Sequence, residues 1–167
     1  MTASRFVRAN GLTLHARLDG APGRTPLAFV NSLGTDLRIW DGVVSRLGGR
    51  PLARHDKRGH GLSDCPPGPY TVDDHAADLA GLLDALALPQ AVVAGVSIGG
   101  QIALAFAAAH PQRVRGLVLC DTAPVLGTRE MWAQRIADVE AKGLEALADE
   151  IVTRWFAPSF AAEAPEA

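Results

Sequence analysis

The sequence predicts an α/β protein with a mostly parallel sheet, and three observations support this prediction. Short apolar runs rich in β-branched residues alternate with segments of helical periodicity. Asn10-Gly11 joins two alternating segments near the N-terminus, as in an antiparallel β-hairpin. A Gly-x-Ser-x-Gly pentapeptide at residues 95–99 lies between an apparent strand and an apparent helix. Strands that alternate with helices in this way predict right-handed crossovers between parallel strands.

Six short apolar runs, well separated along the chain, predict the strands. The predicted strands are residues 5–9, 12–18, 27–31 and 52–56, the run from Val92 to Val96, and residues 116–121. The first two form the hairpin, with His15 as a surface or pairing residue. The others are continuous apolar runs of the kind that parallel sheets bury, so we expect residues 116–121 to be buried as well.

Helical periodicity fills the intervals between the later strands. The predicted helices are residues 37–47, residues 72–86, and the Ala-rich run after Gly100 that ends at His110-Pro111. Thr35 or Asp36 can cap the first of them, and the spacing places Trp40 in the core. Thr71 and Asp74 resemble a capping box at the start of the second.

The pattern changes after Pro124, where two helical patterns follow without a strand between them. Their apolar positions are Trp132, Ile136 and Val139, then Leu144, Leu147, Ile151 and Trp155. Two consecutive helices in an α/β chain indicate a cap over the carboxyl ends of the strands, beginning near residue 128. We therefore expect a core over residues 1–124 and the start of a helical cap over residues 125–167.

The pentapeptide around Ser97 predicts a nucleophile elbow. A strand that turns into a helix within two residues must hold Ser97 in a strained conformation with a positive φ. Gly95 and Gly99 remove the side chains that would collide at this corner. The hydroxyl would project from the carboxyl end of the sheet, beside the Ile98 N–H at a helix N-terminus.

An oxyanion hole needs two backbone donors, and Ile98 supplies one. The loop after residues 27–31 would supply the second, most simply from the Leu33 N–H. The small neighbours Ser32 and Gly34 would let this loop approach closely.

A membrane helix is the alternative interpretation of residues 91–110, since the segment is apolar and contains a Gly-x-x-x-Gly packing motif. The glycines, Ser97 and Gln101 in mid-segment argue against it. The β-branched half also precedes the helix-forming half, which favours a strand followed by a helix.

A base for Ser97 is harder to find in this sequence. A serine hydroxyl needs a neighbouring base, and the base needs an acid that orients it. His110, the only histidine after Ser97, lies roughly 20 Å along the predicted elbow helix and is too distant. His60 as base and Asp121 as acid remain candidates, although either residue can equally order its own loop. The sequence thus contains a nucleophile without an assured triad.

Composition excludes several other functional classes. The 167 residues are 48% hydrophobic and carry a net charge of −2, so nothing indicates a surface for nucleic acid or an anionic membrane. The N-terminus has no apolar signal region, and the two cysteines, Cys65 and Cys120, have no metal-ligand spacing. We expect a cytoplasmic protein without a metal site.

Four segments together carry a family resemblance. They are Gly95 to Gly100, NSLGTDLRIWD from Asn31, DKRGHGLSD from Asp56, and LCDTA followed by GTREMW. With them the chain resembles the 3-oxoadipate enol-lactonases of the α/β-hydrolase superfamily, from about residue 6 to residue 157.

This resemblance implies an α/β-hydrolase fold and cofactor-free hydrolysis of 3-oxoadipate enol-lactone to 3-oxoadipate, a step of aromatic catabolism in the β-ketoadipate pathway. Ser97 would attack the lactone carbonyl, and Leu33 and Ile98 would hold the oxyanion. The resemblance also implies that the last strands, which carry the triad aspartate and histidine, are absent from this chain. The strand at residues 116–121 would then be an exposed apolar edge through which the chain could self-associate.

The substrate that the resemblance implies is anionic, so we expect a cationic residue to bind it in the cap. Arg135 lies three residues after Trp132 on one helix face, and the two form the predicted substrate-binding pair. Alternatively, Trp132 packs the cap onto the core while the arginine faces water. Two other functions also remain open: another carboxylic ester hydrolase of the same fold, and a non-catalytic protein that binds a small molecule or a partner.

Overall fold

The strands form a single six-stranded sheet in the computed structural model, which describes residues 4–163. The strands are β1 (Ser4–Ala9), β2 (Leu12–Asp19), β3 (Leu27–Val30), β4 (Leu52–His55), β5 (Ala91–Val96) and β6 (Val114–Cys120). Their order across the sheet is β1-β2-β4-β3-β5-β6. β2 runs antiparallel to both β1 and β4, whereas the pairs β3–β4, β3–β5 and β5–β6 are parallel. The predicted mostly parallel sheet with an N-terminal hairpin is confirmed.

All the helices except the last occupy the intervals that the periodicity predicts. They are α1 (Asp41–Val44), α2 (Val72–Ala85), α3 (Ile98–Ala109), α4 (Arg129–Lys142), α5 (Glu145–Trp155) and α6 (Pro158–Glu163), with 3-10 turns at Leu37–Trp40 and Pro111–Arg113. Both halves of the capping box at Thr71 and Asp74 are present. Asp36 caps the first 3-10 turn by accepting a hydrogen bond from the Arg38 N–H at 2.8 Å.

The helix predicted over residues 37–47 is shorter than its pattern indicates. It consists of a 3-10 turn and the single turn of α1, and it ends at Val44, so Leu47 is exposed. Gly42 within the segment and the glycine pair that follows Leu47 lower its helix propensity. Trp40 is nevertheless buried against Phe29, with ring centroids 4.9 Å apart, as predicted.

The main core lies between the sheet and the pair α2 and α3. Its fully buried members include Leu79 and Leu83 of α2, Val93 of β5, and Ile102 and Phe106 of α3. Burial of these side chains, at roughly 25 cal/mol per Å² of apolar surface, fixes the start of α3 against the end of β5. The catalytic serine predicted from the sequence lies at that junction.

β6 is not buried as its apolar composition predicts, but it is the exposed apolar edge that the family resemblance implies. It pairs on one side with β5 and has no second neighbour among residues 4–163, so it lies at the edge of the sheet. Val118 and Leu119 are each 45% exposed for this reason.

The chain divides into two compact units, Met1–Leu126 and Gly127–Ala167. The first contains the sheet with α1, α2 and α3, and the second contains α4, α5 and α6. Within the described part of the chain, every helix is too short or too polar to cross a membrane.

Candidate active site

Ser97 lies at a sharp turn between β5, which ends at Val96, and α3, which begins at Ile98. Its backbone dihedral angles are φ 55° and ψ −124°, so the predicted positive φ is confirmed. Only a well-packed surrounding structure can hold a residue other than glycine in such a conformation. Strain of this kind presents the side chain at the end of the strand instead of burying it in the sheet.

The two glycines of the pentapeptide are required by close backbone contacts. A Cβ atom added to Gly95 would lie 2.1 Å from the carbonyl oxygen of Gly99. A Cβ atom on Gly99 would lie 2.2 Å from the carbonyl oxygen of Val30, at the end of β3. The start of α3 is therefore packed directly against β3, and a side chain at either glycine would collide with backbone, as predicted.

Hydrogen bonds fix the backbone of Ser97 on both sides. Its N–H donates to the Cys120 carbonyl oxygen at 3.1 Å, and its carbonyl oxygen accepts from the Thr122 hydroxyl at 2.6 Å. Thr122 was not predicted as part of the site. It follows the carboxyl end of β6, which lies beside the carboxyl end of β5. The Ser97 hydroxyl itself has no hydrogen-bond partner among residues 4–163.

Two backbone donors lie at neighbouring strand ends. The Ile98 N–H belongs to the first residue of α3 and has no acceptor within the helix. The Leu33 N–H, in the loop after β3, has no acceptor in the part of the chain that the structure describes. β3 and β5 are parallel neighbours, with Val30 opposite Gly95, so both donors emerge at the same end of the sheet.

Lys57 supports the loop that contains Leu33, and sequence reasoning missed it. The side chain is 1% exposed, and Nζ donates to the carbonyl oxygens of Asn31 at 3.1 Å and Ser32 at 2.8 Å. Burial lowers the pKa of Lys57 to about 7, while the charge of Asp56 acts in the opposite direction. A lysine between charged neighbours suggests an exposed side chain, so its burial has no signal in the sequence.

Asp56 stabilises the loop formed by residues 56–64, which has the sequence DKRGHGLSD. Its carboxylate accepts hydrogen bonds from the Leu37 N–H at 2.8 Å, the Leu62 N–H at 2.9 Å and the Nδ1 atom of His15 at 2.8 Å. His15 pairs with Phe6 of β1 and is buried, so it is a pairing residue but not a surface residue.

The candidate base His60 is engaged elsewhere. Nε2 accepts from the Gly34 N–H at 3.2 Å, and Nδ1 lies 3.0 Å from the Arg58 carbonyl oxygen. These partners fit a neutral ring with the proton on Nδ1, and burial lowers the pKa of His60. Both ring nitrogens are used to hold loops, so neither is available to Ser97.

The remaining candidates for a triad make no hydrogen bond to the Ser97 hydroxyl within the described residues. His110 ends α3, and its ring packs against Phe106 at 5.2 Å. Asp121 is exposed, and it makes no hydrogen bond to a histidine within the described residues. The first unit therefore places the candidate nucleophile and two candidate donors at one end of the sheet, and no histidine among residues 4–163 is hydrogen-bonded to the Ser97 hydroxyl.

The predicted pair Trp132 and Arg135 lies on α4 in the second unit. The Arg135 guanidinium is stacked over the Trp132 ring at 5.7 Å from its centroid. Arg135 also lines a cavity of about 240 Å³ between α4 and α5, together with Asp138, Arg154 and apolar side chains. The cavity combines cationic groups with an apolar wall, which suits an organic anion.

Known proteins share this architecture. A family model described as the α/β hydrolase fold matches residues 25–161. 3-Oxoadipate enol-lactonase 2 of Acinetobacter baylyi is 35% identical over 159 residues, which cover 95% of this chain and 60% of that protein.

Two solved structures are also similar. The enol-lactonase from Burkholderia xenovorans LB400 has a TM-score of 0.90 and 36% identity, over 96% of this chain and 63% of that one. A thermophilic esterase from Thermogutta terrifontis has a TM-score of 0.83 and 29% identity, over 99% and 63%. The chain spans about 60% of the length of these relatives. With its sheet order, its elbow and these similarities, the chain belongs to the α/β hydrolase fold family.

Proposed function

We propose that this chain carries the nucleophile and the oxyanion hole of a serine hydrolase that converts 3-oxoadipate enol-lactone to 3-oxoadipate. The observation that carries the proposal is the elbow: Ser97 stands at φ 55° with its hydroxyl unpartnered among the described residues, at the N-terminus of α3. Similarity to enol-lactonases of Acinetobacter and Burkholderia supports the choice of substrate. The pathway, the β-ketoadipate branch of aromatic catabolism, follows from that substrate.

The proposed reaction is an acyl transfer in two steps. Ser97 Oγ attacks the lactone carbonyl carbon while a base removes its proton, and the Leu33 and Ile98 N–H groups stabilise the oxyanion. The ring C–O bond then breaks, and the departing enolate takes up a proton and becomes the ketone. Water then attacks the acyl carbon, the bond from that carbon to Ser97 Oγ breaks, and Oγ takes up a proton while the product leaves as a carboxylate.

The base of this reaction is not among the five histidines of the sequence. Each histidine is described, and none is hydrogen-bonded to Ser97. We infer that a group other than these histidines supplies the base. By themselves, the nucleophile and oxyanion hole would provide only a small part of the rate enhancement of a complete site.

Arg135 is proposed to bind the free carboxylate of the lactone, with Trp132 holding the guanidinium in place. The stacking of the two side chains and the cavity beside Arg135 support this role. A planar guanidinium that is already oriented loses little side-chain entropy when it binds a carboxylate.

The test is hydrolysis of the enol-lactone by the protein as expressed from its own gene. We expect Ser97→Ala to lower kcat by at least about 10³-fold, in the range found when a nucleophilic serine is removed. Ser45→Ala is the matched control, since Ser45 is an exposed serine whose hydroxyl contacts only the Gly42 carbonyl. Equal rates in the wild type and Ser97→Ala would overturn the proposal.

A second candidate is hydrolysis of a different carboxylic ester, which the similarity to the Thermogutta esterase favours. The ratio of kcat/KM for the enol-lactone to that for p-nitrophenyl acetate separates the two. A ratio well above one supports the lactonase, and a ratio below one supports the esterase. The third possibility is a binding protein without turnover, and for it both rates would be unaffected by Ser97→Ala.

The net charge of −2 supports a further part of the proposal, the absence of a nucleic-acid or anionic-membrane partner. The free thiols of Cys65 and Cys120 fit the proposed cytoplasmic location.

A further inference from the structure

We propose that Lys57 is a positioning residue that aims the Leu33 N–H into the oxyanion hole by holding the Ser32 carbonyl on the opposite side of the same peptide group. The proposal rests on the proposed function, since it assigns a task to a residue that supports the Leu33 donor. Lys57 itself touches no reacting atom.

The peptide that joins Ser32 to Leu33 determines the direction of the Leu33 N–H. It is a trans peptide, so its carbonyl oxygen and its N–H point in opposite directions. The Ser32 carbonyl accepts two hydrogen bonds, from Lys57 Nζ at 2.8 Å and from the Thr35 hydroxyl at 2.9 Å. With the carbonyl held on that side, the Leu33 N–H must point away from Lys57.

The backbone groups on either side of this peptide are also held by hydrogen bonds. The preceding carbonyl, of Asn31, also accepts from Lys57 Nζ at 3.1 Å. The following N–H, of Gly34, donates to His60 Nε2 at 3.2 Å. The Leu33 N–H is thus the unpaired donor between fixed neighbours, within the described chain.

The Asn31 carbonyl links Lys57 to the elbow. The Asn31 carbonyl that Lys57 binds lies 3.0 Å from the position that a Cβ of Gly99 would take. Lys57 therefore anchors the loop at the point where it packs against the first turn of α3. One ammonium group thus holds the loop of the Leu33 donor at the place where this loop packs against Gly99.

The choice of residue fits this task. Of the 16 basic residues in the sequence, only Lys57 and Lys142 are lysines, and the others are arginines. A compact ammonium can donate to two converging carbonyls in a closed space, whereas a guanidinium presents a wide, planar set of donors. The cost of burying Lys57, which lowers its pKa to about 7, indicates that the position is not chosen for stability alone.

The test compares Lys57→Met and Thr35→Val with the wild type, using p-nitrophenyl acetate. This neutral ester makes the test independent of the lactone specificity. Oxyanion contacts strengthen only in the transition state, so we expect each variant to lower kcat by about 10- to 100-fold with KM within twofold. The double variant should lose less than the product of the two single losses, because both side chains hold the same carbonyl.

Two controls make the outcome specific. Lys142→Met removes an exposed lysine of α4 and should leave kcat unchanged. The carbonyl carbon of Ser32, observed by NMR, should shift in Lys57→Met, because it loses a charged hydrogen-bond donor. If Lys57→Met does not fold, Thr35→Val tests the same carbonyl with a nearly isosteric change.

A folded Lys57→Met or Thr35→Val with unchanged kcat would overturn this proposal, as would a loss expressed only in KM. Failure of the proposed function is recognised separately, because then Ser97→Ala would retain the wild-type rate. A large loss in Ser97→Ala with none in Lys57→Met rejects the lysine and keeps the serine.

Discussion

At the scale of single residues, the elbow can form only because its glycines have no Cβ atom. Gly99 faces the carbonyl group of Val30, with the oxygen 2.2 Å and the carbon 2.8 Å from a Cβ position. These atoms belong to backbone in the centre of the sheet and cannot move aside as a flexible side chain would. The elbow and the end of β3 therefore share one steric constraint.

We expect Gly99→Ala to lower the free energy of unfolding by about 1–3 kcal/mol, which is typical of overpacking a close contact. It should also reduce activity, because relief of the clash moves α3 away from the Leu33 loop. Urea unfolding measures the first effect. Gly48→Ala is the control, since nothing lies within 4 Å of its Cβ position, and it should change stability by less than about 1 kcal/mol. Equal stabilities for the two variants would contradict the account.

Single residues also show where sequence reasoning succeeded and where it failed. The positive φ of Ser97 was predictable, because a strand-to-helix turn within two residues leaves few other conformations. The roles of Lys57 and Thr122 were not, because they depend on which carbonyl group the fold brings next to each side chain. Such contacts join distant parts of the sequence and leave no periodic pattern.

At the scale of elements, strands and helices were predictable where periodicity and end signals agreed. The start of α2 had both an apolar face and the capping box of Thr71 and Asp74, and it was correct to the residue. α1 had an apolar spacing but glycines around it, and its predicted length was wrong. β6 had the composition of a buried strand, yet composition does not reveal how many neighbours a strand has.

Helix α4 carries the proposed specificity for an anionic substrate. Charge reversal in Arg135→Glu should raise KM for the enol-lactone by more than tenfold, because a charge-assisted hydrogen bond is worth about 1.5–3 kcal/mol. KM for p-nitrophenyl acetate should change by less than twofold, since this ester has no carboxylate. Steady-state kinetics with both substrates measures the difference.

Lys142→Glu provides the matched control for that experiment. It makes the same change in net charge on the same helix, at a side chain that is 59% exposed. Exposed ion pairs contribute little, so KM for the lactone should stay within about twofold. Equal effects of Arg135→Glu on the two substrates would refute the proposed carboxylate contact.

At the scale of the whole molecule, the exposed edge of the sheet is the feature with the clearest physical consequence. β6 presents Val118 and Leu119, each 45% exposed, beside unpaired backbone groups in the described structure. Edges of this kind pair with other chains or bind apolar dyes.

We expect the 167-residue chain to self-associate or to bind the dye ANS, and Leu119→Lys to weaken both effects. Sedimentation and dye fluorescence measure them. Val125→Lys is the control, because Val125 is 77% exposed but lies outside the sheet. A monodisperse wild type that binds no dye would contradict the prediction that the β6 edge mediates association.

The proposed function depends above all on Ser97 being the reactive serine. The direct measurement is labelling of the protein, as expressed from its own gene, with a fluorophosphonate probe, followed by mass spectrometry of its peptides. A serine without an activating base does not react, so the probe reports an assembled site and not merely an exposed hydroxyl. We predict an adduct on Ser97 that persists in Ser45→Ala and is lost in Ser97→Ala. A protein that stays unlabelled, or that is labelled on another serine, would contradict the assignment of Ser97 as the nucleophile.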